Sequence, residues 1–263
     1  MANLMALRQD AADELGGLLD SFQSGADRAA LLRDGERVLL LLHVIAAATL
    51  LVDGNPQGFF LNLCRMAENQ RRLTALLLSR RELPPPARKN AGLLAALAAG
   101  DFKLADALAT ISGTPPQPED YEDEHLWATI LQHFARLVPL PAAATESLVG
   151  RLEALGSKEL GSRCAIARAL LAGNARDFAE AFEVARLEYE EITEKRAADF
   201  TTPVTAFAPH RFLWLEGLAL LRLAERAGIA PAETELRYCP ALARLPMTEK
   251  YAGDWTIPGQ PLP

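Results

Sequence analysis

The chain has 263 residues, of which 50% are apolar, 23% charged and 6% aromatic. That balance excludes a disordered or collagen-like polymer, and the length suffices to bury a core without disulfide staples. With 27 Lys and Arg against 34 Asp and Glu, the formal net charge is −7, so the mean surface field repels nucleic-acid phosphates and anionic lipid and favours a partner with a basic surface.

Alanine and leucine supply 47 and 46 residues, whereas isoleucine and valine supply 7 each. Ala and Leu lose little rotamer freedom in a helix, while sheets draw on β-branched side chains, so an all-α fold is expected. Residues 1–20 carry Arg8, Asp10, Asp13, Glu14 and Asp20 and no uninterrupted apolar run, which predicts no export signal and a cytoplasmic protein. Residues 38–52, VLLLLHVIAAATLLV, form the most apolar stretch. It is shorter than the ~20 residues of a bilayer span and contains His43, so it reads as a buried core helix and no membrane partner is expected.

Asp53-Gly54 followed by Asn55-Pro56 predicts a turn, a cap and a helix over 56–81, ended by Pro84, Pro85 and Pro86. Further linkers are expected at 113–118, 139–141 and 200–209, with an extended or frayed tail over 253–263. Trp127, Ile130, Phe134 and Leu137 recur at helical spacing, as do Phe178, Phe182, Ala185, Tyr189 and Ile192. Residues 212–227 are dense enough in apolar side chains to predict a central helix. The expected architecture is a multi-helix bundle of about ten to twelve helices in antiparallel pairs, one domain over 1–252 with a subdivision near 82–90 left open. LAAGDFKLADAL at 97–108 echoes LLAGNARDFAEAF at 170–182. Two readings of the echo stand: tetratricopeptide-like or α-solenoid packing, or coincidental corners in an Ala-rich bundle.

Motifs for phosphate, acyl-transfer or zinc-protease chemistry do not occur in the chain. Glu122-x-x-His125 has the spacing of a di-iron half-site but lacks a second copy, so it reads as a helix-surface pair, and no metal, cofactor or catalytic residue is assigned. His43 and His133 read as hydrogen-bonded core residues, and His210 as the start of a helix after Pro209. Cys64, Cys164 and Cys239 are expected to be free packing residues in a reducing compartment. The strongest charge feature is Glu119, Asp120, Glu122, Asp123 and Glu124, five acids within six residues before the Trp127 stripe. Acids favour a helix N-terminus, but five concentrate repulsion, so these residues are also the candidate contact for a basic partner. Glu188, Glu190, Glu191 and Glu194 read as an exposed helix face paired internally, Glu191 with Lys195.

Three stretches carry a resemblance: 210–246, HRFLWLEGLALLRLAERAGIAPAETELRYCPALARLP; 95–109, AALAAGDFKLADALA; and 181–192, AFEVARLEYEEI. In order and spacing they resemble the bacterial immunity protein 49 family. The resemblance implies an all-helical antidote, without catalytic residues, that binds and neutralises a cognate toxin protein and protects the producing cell. If that toxin is a nuclease, its basic substrate groove would suit the acidic cluster, and the chain itself would touch no nucleic acid. A helical-repeat adaptor with another protein partner is the alternative function, and an all-α enzyme a third.

Overall fold

The computed structural model describes residues 4–112, 115–117, 120–157, 160–229 and 235–258. Among them are eleven α-helices: α1 (Leu4–Ser21), α2 (Arg28–Leu51), α3 (Pro56–Ser79), α4 (Ala91–Ala99), α5 (Phe102–Ser112), α6 (Glu122–Ala135), α7 (Ala142–Ala154), α8 (Gly161–Ala172), α9 (Ala175–Ala198), α10 (Val204–Phe212) and α11 (Leu215–Arg226). A short 3-10 helix spans Ala241–Arg244. The fold is an all-α bundle, and its buried apolar side chains form one cluster running from Ala11 to Ile257.

Local chemistry sets the helix starts. Asp27 accepts the Ala30 N–H at 2.8 Å to open α2, and Asn55 accepts the Gly58 N–H at 2.9 Å before Pro56 at the first turn of α3. The apolar run predicted over 38–52 lies in α2 and is buried around most of its circumference, with Leu41, Leu42, Val44, Ala46 and Ala47 fully covered. The prolines at 84–86 end the region after α3, and the carbonyls there are satisfied by side chains: Arg28 donates to Leu83 and Pro84, and Gln117 donates to Pro84 at 3.0 Å.

The two echoed segments make the same corner. Gly100 and Gly173 both take left-handed backbone, with φ of 77° and 63°, and close α4 and α8. In each case the next residue caps the following helix through its side chain, Asp101 to the Leu104 N–H and Asn174 to the Arg176 and Asp177 N–H groups. From α4 to α9 each helix packs on the next in sequence. The stack then closes on itself, because α10 returns to α2 and α11 returns to α4. Arg222 on α11 fastens that return: buried to 8% exposure, it donates to the carbonyls of Ala98 and Leu245 and pairs with Glu225.

Three expectations change. The 200–209 linker is only half a linker, since α10 begins at Val204 with Pro209 inside it. Pro203, at φ −62°, suits the entry to a helix, and burial of Phe207, Ala208 and Pro209 outweighs the hydrogen bond that Pro209 cannot donate. His210 therefore lies in the last turn of α10, not at a helix start. The tail from 253 is extended but docked through 258, with 259–263 outside the described residues. Asn69 on α3 donates to the Trp255 carbonyl and accepts the Ile257 N–H, Arg65 pairs with Asp254, and Ile257 is 1% exposed. Finally, Leu137 lies beyond α6, half-exposed, because Arg136 turns to extended backbone. The linker at 139–141 joins α6 to α7 as expected, while Gly113, Thr114 and Pro118 of the 113–118 linker lie outside the described residues.

Candidate functional site

The acidic run was the sequence's candidate, and the structure distributes its members. Glu119 lies outside the described residues. Asp120 is 1% exposed at its side chain, accepts the Gln117 N–H at 3.0 Å and approaches His125 Nδ1 at 3.8 Å. Glu122, Asp123 and Glu124 occupy the first turn of α6, where the helix dipole favours them. Glu122 is exposed and reaches Arg151 on α7 at 3.1 Å; Glu124 is half-buried, and its Oε2 has no hydrogen-bond partner. Glu122 and His125 thus turn to different neighbours and do not converge, and no group of three metal-ligating side chains occurs among the described residues. The α9 acids are also paired, within the helix and beyond it: Glu190 with Arg186 one turn earlier and with Arg237, Glu194 with Arg237, and Glu188 with the Ser162 hydroxyl. The internal pairing expected of this face is made by Arg186 with Glu190, not by Lys195 with Glu191.

A second surface comes from the stretch that reads as a linker. Where α9 ends and α10 begins, Phe200 is fully exposed, and Ile192 and Val204 are each 59% exposed. Ile192 stands one turn before Arg196 on α9, so both reach the same side. A groove of about 430 Å³ opens there between Arg196, Phe200, Val204, Phe207, Arg211 and Phe212. Arg196 lies over the Phe207 ring at 5.2 Å and Arg211 over Phe212 at 5.9 Å, so the patch combines apolar rings with cations stacked on them.

A third feature is internal. A cleft of about 370 Å³ lies between α2, the start of α4, α9, α10 and the start of α11. Leu39, Leu40, Met66, Leu94, Trp214 and Leu215 give it apolar walls, and His43 and His210 face each other in it with ring centroids 4.8 Å apart at 84°. Burial pushes the imidazolium pKa of both below 6.5, that of His210 to about 4, so both rings are neutral at neutral pH. His43 is 4% exposed and its Nε2 has no hydrogen-bond partner, contrary to the expectation of a satisfied core histidine. His133 does meet it, with Nδ1 3.0 Å from the Thr145 hydroxyl. Tyr189 stacks on Trp214 at 5.3 Å and donates its hydroxyl to the carbonyls of His210 and Leu213, which fixes the end of α10 against the cleft.

The cysteines are free and buried, as expected. Burial raises the Cys64 and Cys239 thiols to about 12, which leaves them unreactive as thiols. No helix among the described residues is long and apolar enough to cross a membrane.

No protein-family model matches the chain, and neither the curated proteins nor the solved structures include a significant match.

Proposed function

We propose that the chain is an immunity protein that binds a cognate bacterial toxin protein and neutralises it stoichiometrically. The observation that carries this reading is the exposed face of Phe200, Val204 and Ile192 beside Arg196 and Arg211. Large apolar side chains clustered at the surface and rimmed by charge mark protein–protein contacts, and aromatic and arginine residues supply most of the energy in such contacts. The resemblance over 210–246, 95–109 and 181–192 implies that the partner is a toxin protein. A standard interface buries about 1,200–2,000 Å² in total, more than this groove alone, so neighbouring α9 side chains would contribute. The net charge of −7 would speed encounter with a basic toxin such as a nuclease, and Glu122 and Asp123 remain candidate contacts.

The test is coexpression with the product of the neighbouring open reading frame. Growth arrest relieved only by the intact chain supports the proposal, and the double variant Phe200→Asp/Val204→Asp should abolish relief while retaining its helical circular dichroism. Lysine at positions 122 and 123 should lower toxin affinity and flatten its salt dependence. If no neighbouring product is toxic, the antidote reading fails. The in-order stacking of α4 to α9 with two like corners favours the adaptor as the second reading.

A further inference from the structure

We propose that the cleft between α2, α4, α9, α10 and α11 binds a small, flat, largely apolar molecule with a hydrogen-bonding group at its buried end and an anionic group at its mouth. The site is separate from the α9–α10 face and does not depend on the toxin reading.

Size comes first. The cleft holds about 370 Å³, whereas a dry apolar cavity of about 150 Å³ accommodates benzene, so there is room for a fused bicyclic ring. Leu39, Leu94 and Trp214 offer it apolar surface.

The buried end follows from His43. A polar atom withheld from water and bonded to nothing is a costly arrangement that calls for an explanation. His43 Nε2 is such an atom, in a side chain that lines the cleft. A neutral imidazole can accept from a hydroxyl or N–H, or donate in its other tautomer. A ligand hydroxyl would satisfy it either way once the ring turns Nε2 towards the cleft, since that atom is shielded as the ring now lies.

Of the two acids and two cations that line the cleft, one cation has no partner among the described residues, because Glu216 is matched from outside the lining by Arg163. Lys89 is matched by Glu36 at 2.7 Å, and Glu216 accepts from Trp127 at 2.6 Å and from Arg163 at 3.4 Å. Arg88 lines the same opening, is exposed, and has no ion pair among the described residues. Asn90 stands at the N-cap of α4 with its side chain making no cap hydrogen bond. A guanidinium and a free amide together form an anion-accepting mouth, while the Gly92 N–H in the first turn of α4 is already held by Gln70 at 2.6 Å.

The probe is 6-hydroxy-2-naphthoate, titrated into the full chain by calorimetry, with 2-naphthoate and 2-naphthol as arms lacking the hydroxyl and the carboxylate. Each deletion should weaken Kd about tenfold. His43→Phe keeps a ring but removes the nitrogen, so the hydroxylated and plain naphthoates should then bind alike. Arg88→Glu, on the surface, should remove the preference for the carboxylate. Leu40→Trp should fill the cleft and abolish binding of all three; if that variant misfolds, Arg88→Glu and His43→Phe still decide. Absence of binding at millimolar probe, equal affinity for all three probes, or undiminished binding by folded Leu40→Trp overturns the proposal.

Discussion

Two glycines in helices should respond differently to the same substitution, one gaining stability and the other not. A Cβ on Gly217 would sit 2.2 Å from Cε3 and 2.4 Å from Cδ2 of the Trp214 ring. That ring has little freedom to retreat, because it stacks on Tyr189 at 5.3 Å and lies against Phe182 at 5.2 Å. Gly150 in α7 is exposed, and nothing lies within 4 Å of its would-be Cβ. Alanine is favoured over glycine inside a helix by about 1 kcal/mol, so Gly150→Ala should stabilise the fold by up to that amount. Gly217→Ala gains the same propensity but overpacks the ring at a cost of about 1–3 kcal/mol, which leaves it neutral to about 2 kcal/mol less stable. At this chain length each kcal/mol moves Tm by about 2–4 °C, so thermal melts followed by circular dichroism separate the two variants. Gly217→Ala should also shift tryptophan emission, since Trp214 must move. An equal rise in Tm for both substitutions would refute the packing described around Trp214.

The remaining predictions concern pH. Glu68 is 7% exposed and lies between Arg71 at 2.7 Å and Arg72 at 2.8 Å; burial pulls its pKa up, but hydrogen bonds and charge from the two guanidiniums outweigh it, leaving the pKa below 4.5. A carboxylate lowered in the folded state contributes stability above its unfolded pKa that is lost as the pH falls through the folded one. Glu68→Gln should therefore cost about 2 kcal/mol near pH 7, a difference that closes on acidification below 4.5 and is read from urea melts at each pH. The buried imidazoles act with the same pH sense for a different reason: with folded pKa values below 6.5, the unfolded chain binds the extra protons, and stability drops as the pH falls from about 6.5 towards 4. His43→Phe/His210→Phe should flatten that limb, and a limb of unchanged slope would count against buried, neutral rings.

How much of this could be read beforehand depends on whether the deciding contacts were local. The α2 core run, the Asn55-Pro56 start and the Gly100 and Gly173 corners are governed by residues within a turn or two, and each was legible. Helix α10 was not, because Pro203 and Pro209 look like breakers until Phe207 and Ala208 are seen buried against neighbours. The docked tail was hidden for the converse reason. Asn62, Arg65, Glu68, Asn69 and Arg72 resemble a solvated face of α3, yet much of that face is covered, and Asn69 and Arg72 bond to main chain near 255 and 257. The acidic run was conspicuous, but sequence proximity could not reveal that Asp120 turns inward while Glu122 turns to Arg151. His43 and His210 come together from opposite ends of the chain, and no spacing rule connects them.

The closure of the helix stack explains why the cleft sits where it does. Helices stacked in sequence satisfy their neighbours but leave the first and last with an uncovered side. Here the last helices and the extended tail return to α2, α3 and α4, and the polar groups of α3 bond to tail carbonyls and N–H groups. The returning helices do not seal against α2 completely; the space left over is the His43–His210 cleft, walled on one side by α2 and α4 and on the other by α9, α10 and α11. A molecule bound there would touch both sides of the closure, and binding to the folded state alone stabilises it by about 2.7 kcal/mol at a hundredfold excess over Kd. Occupancy of the cleft would thus hold α10 against α2, and with it the exposed Phe200 and Val204 face that α10 helps to present.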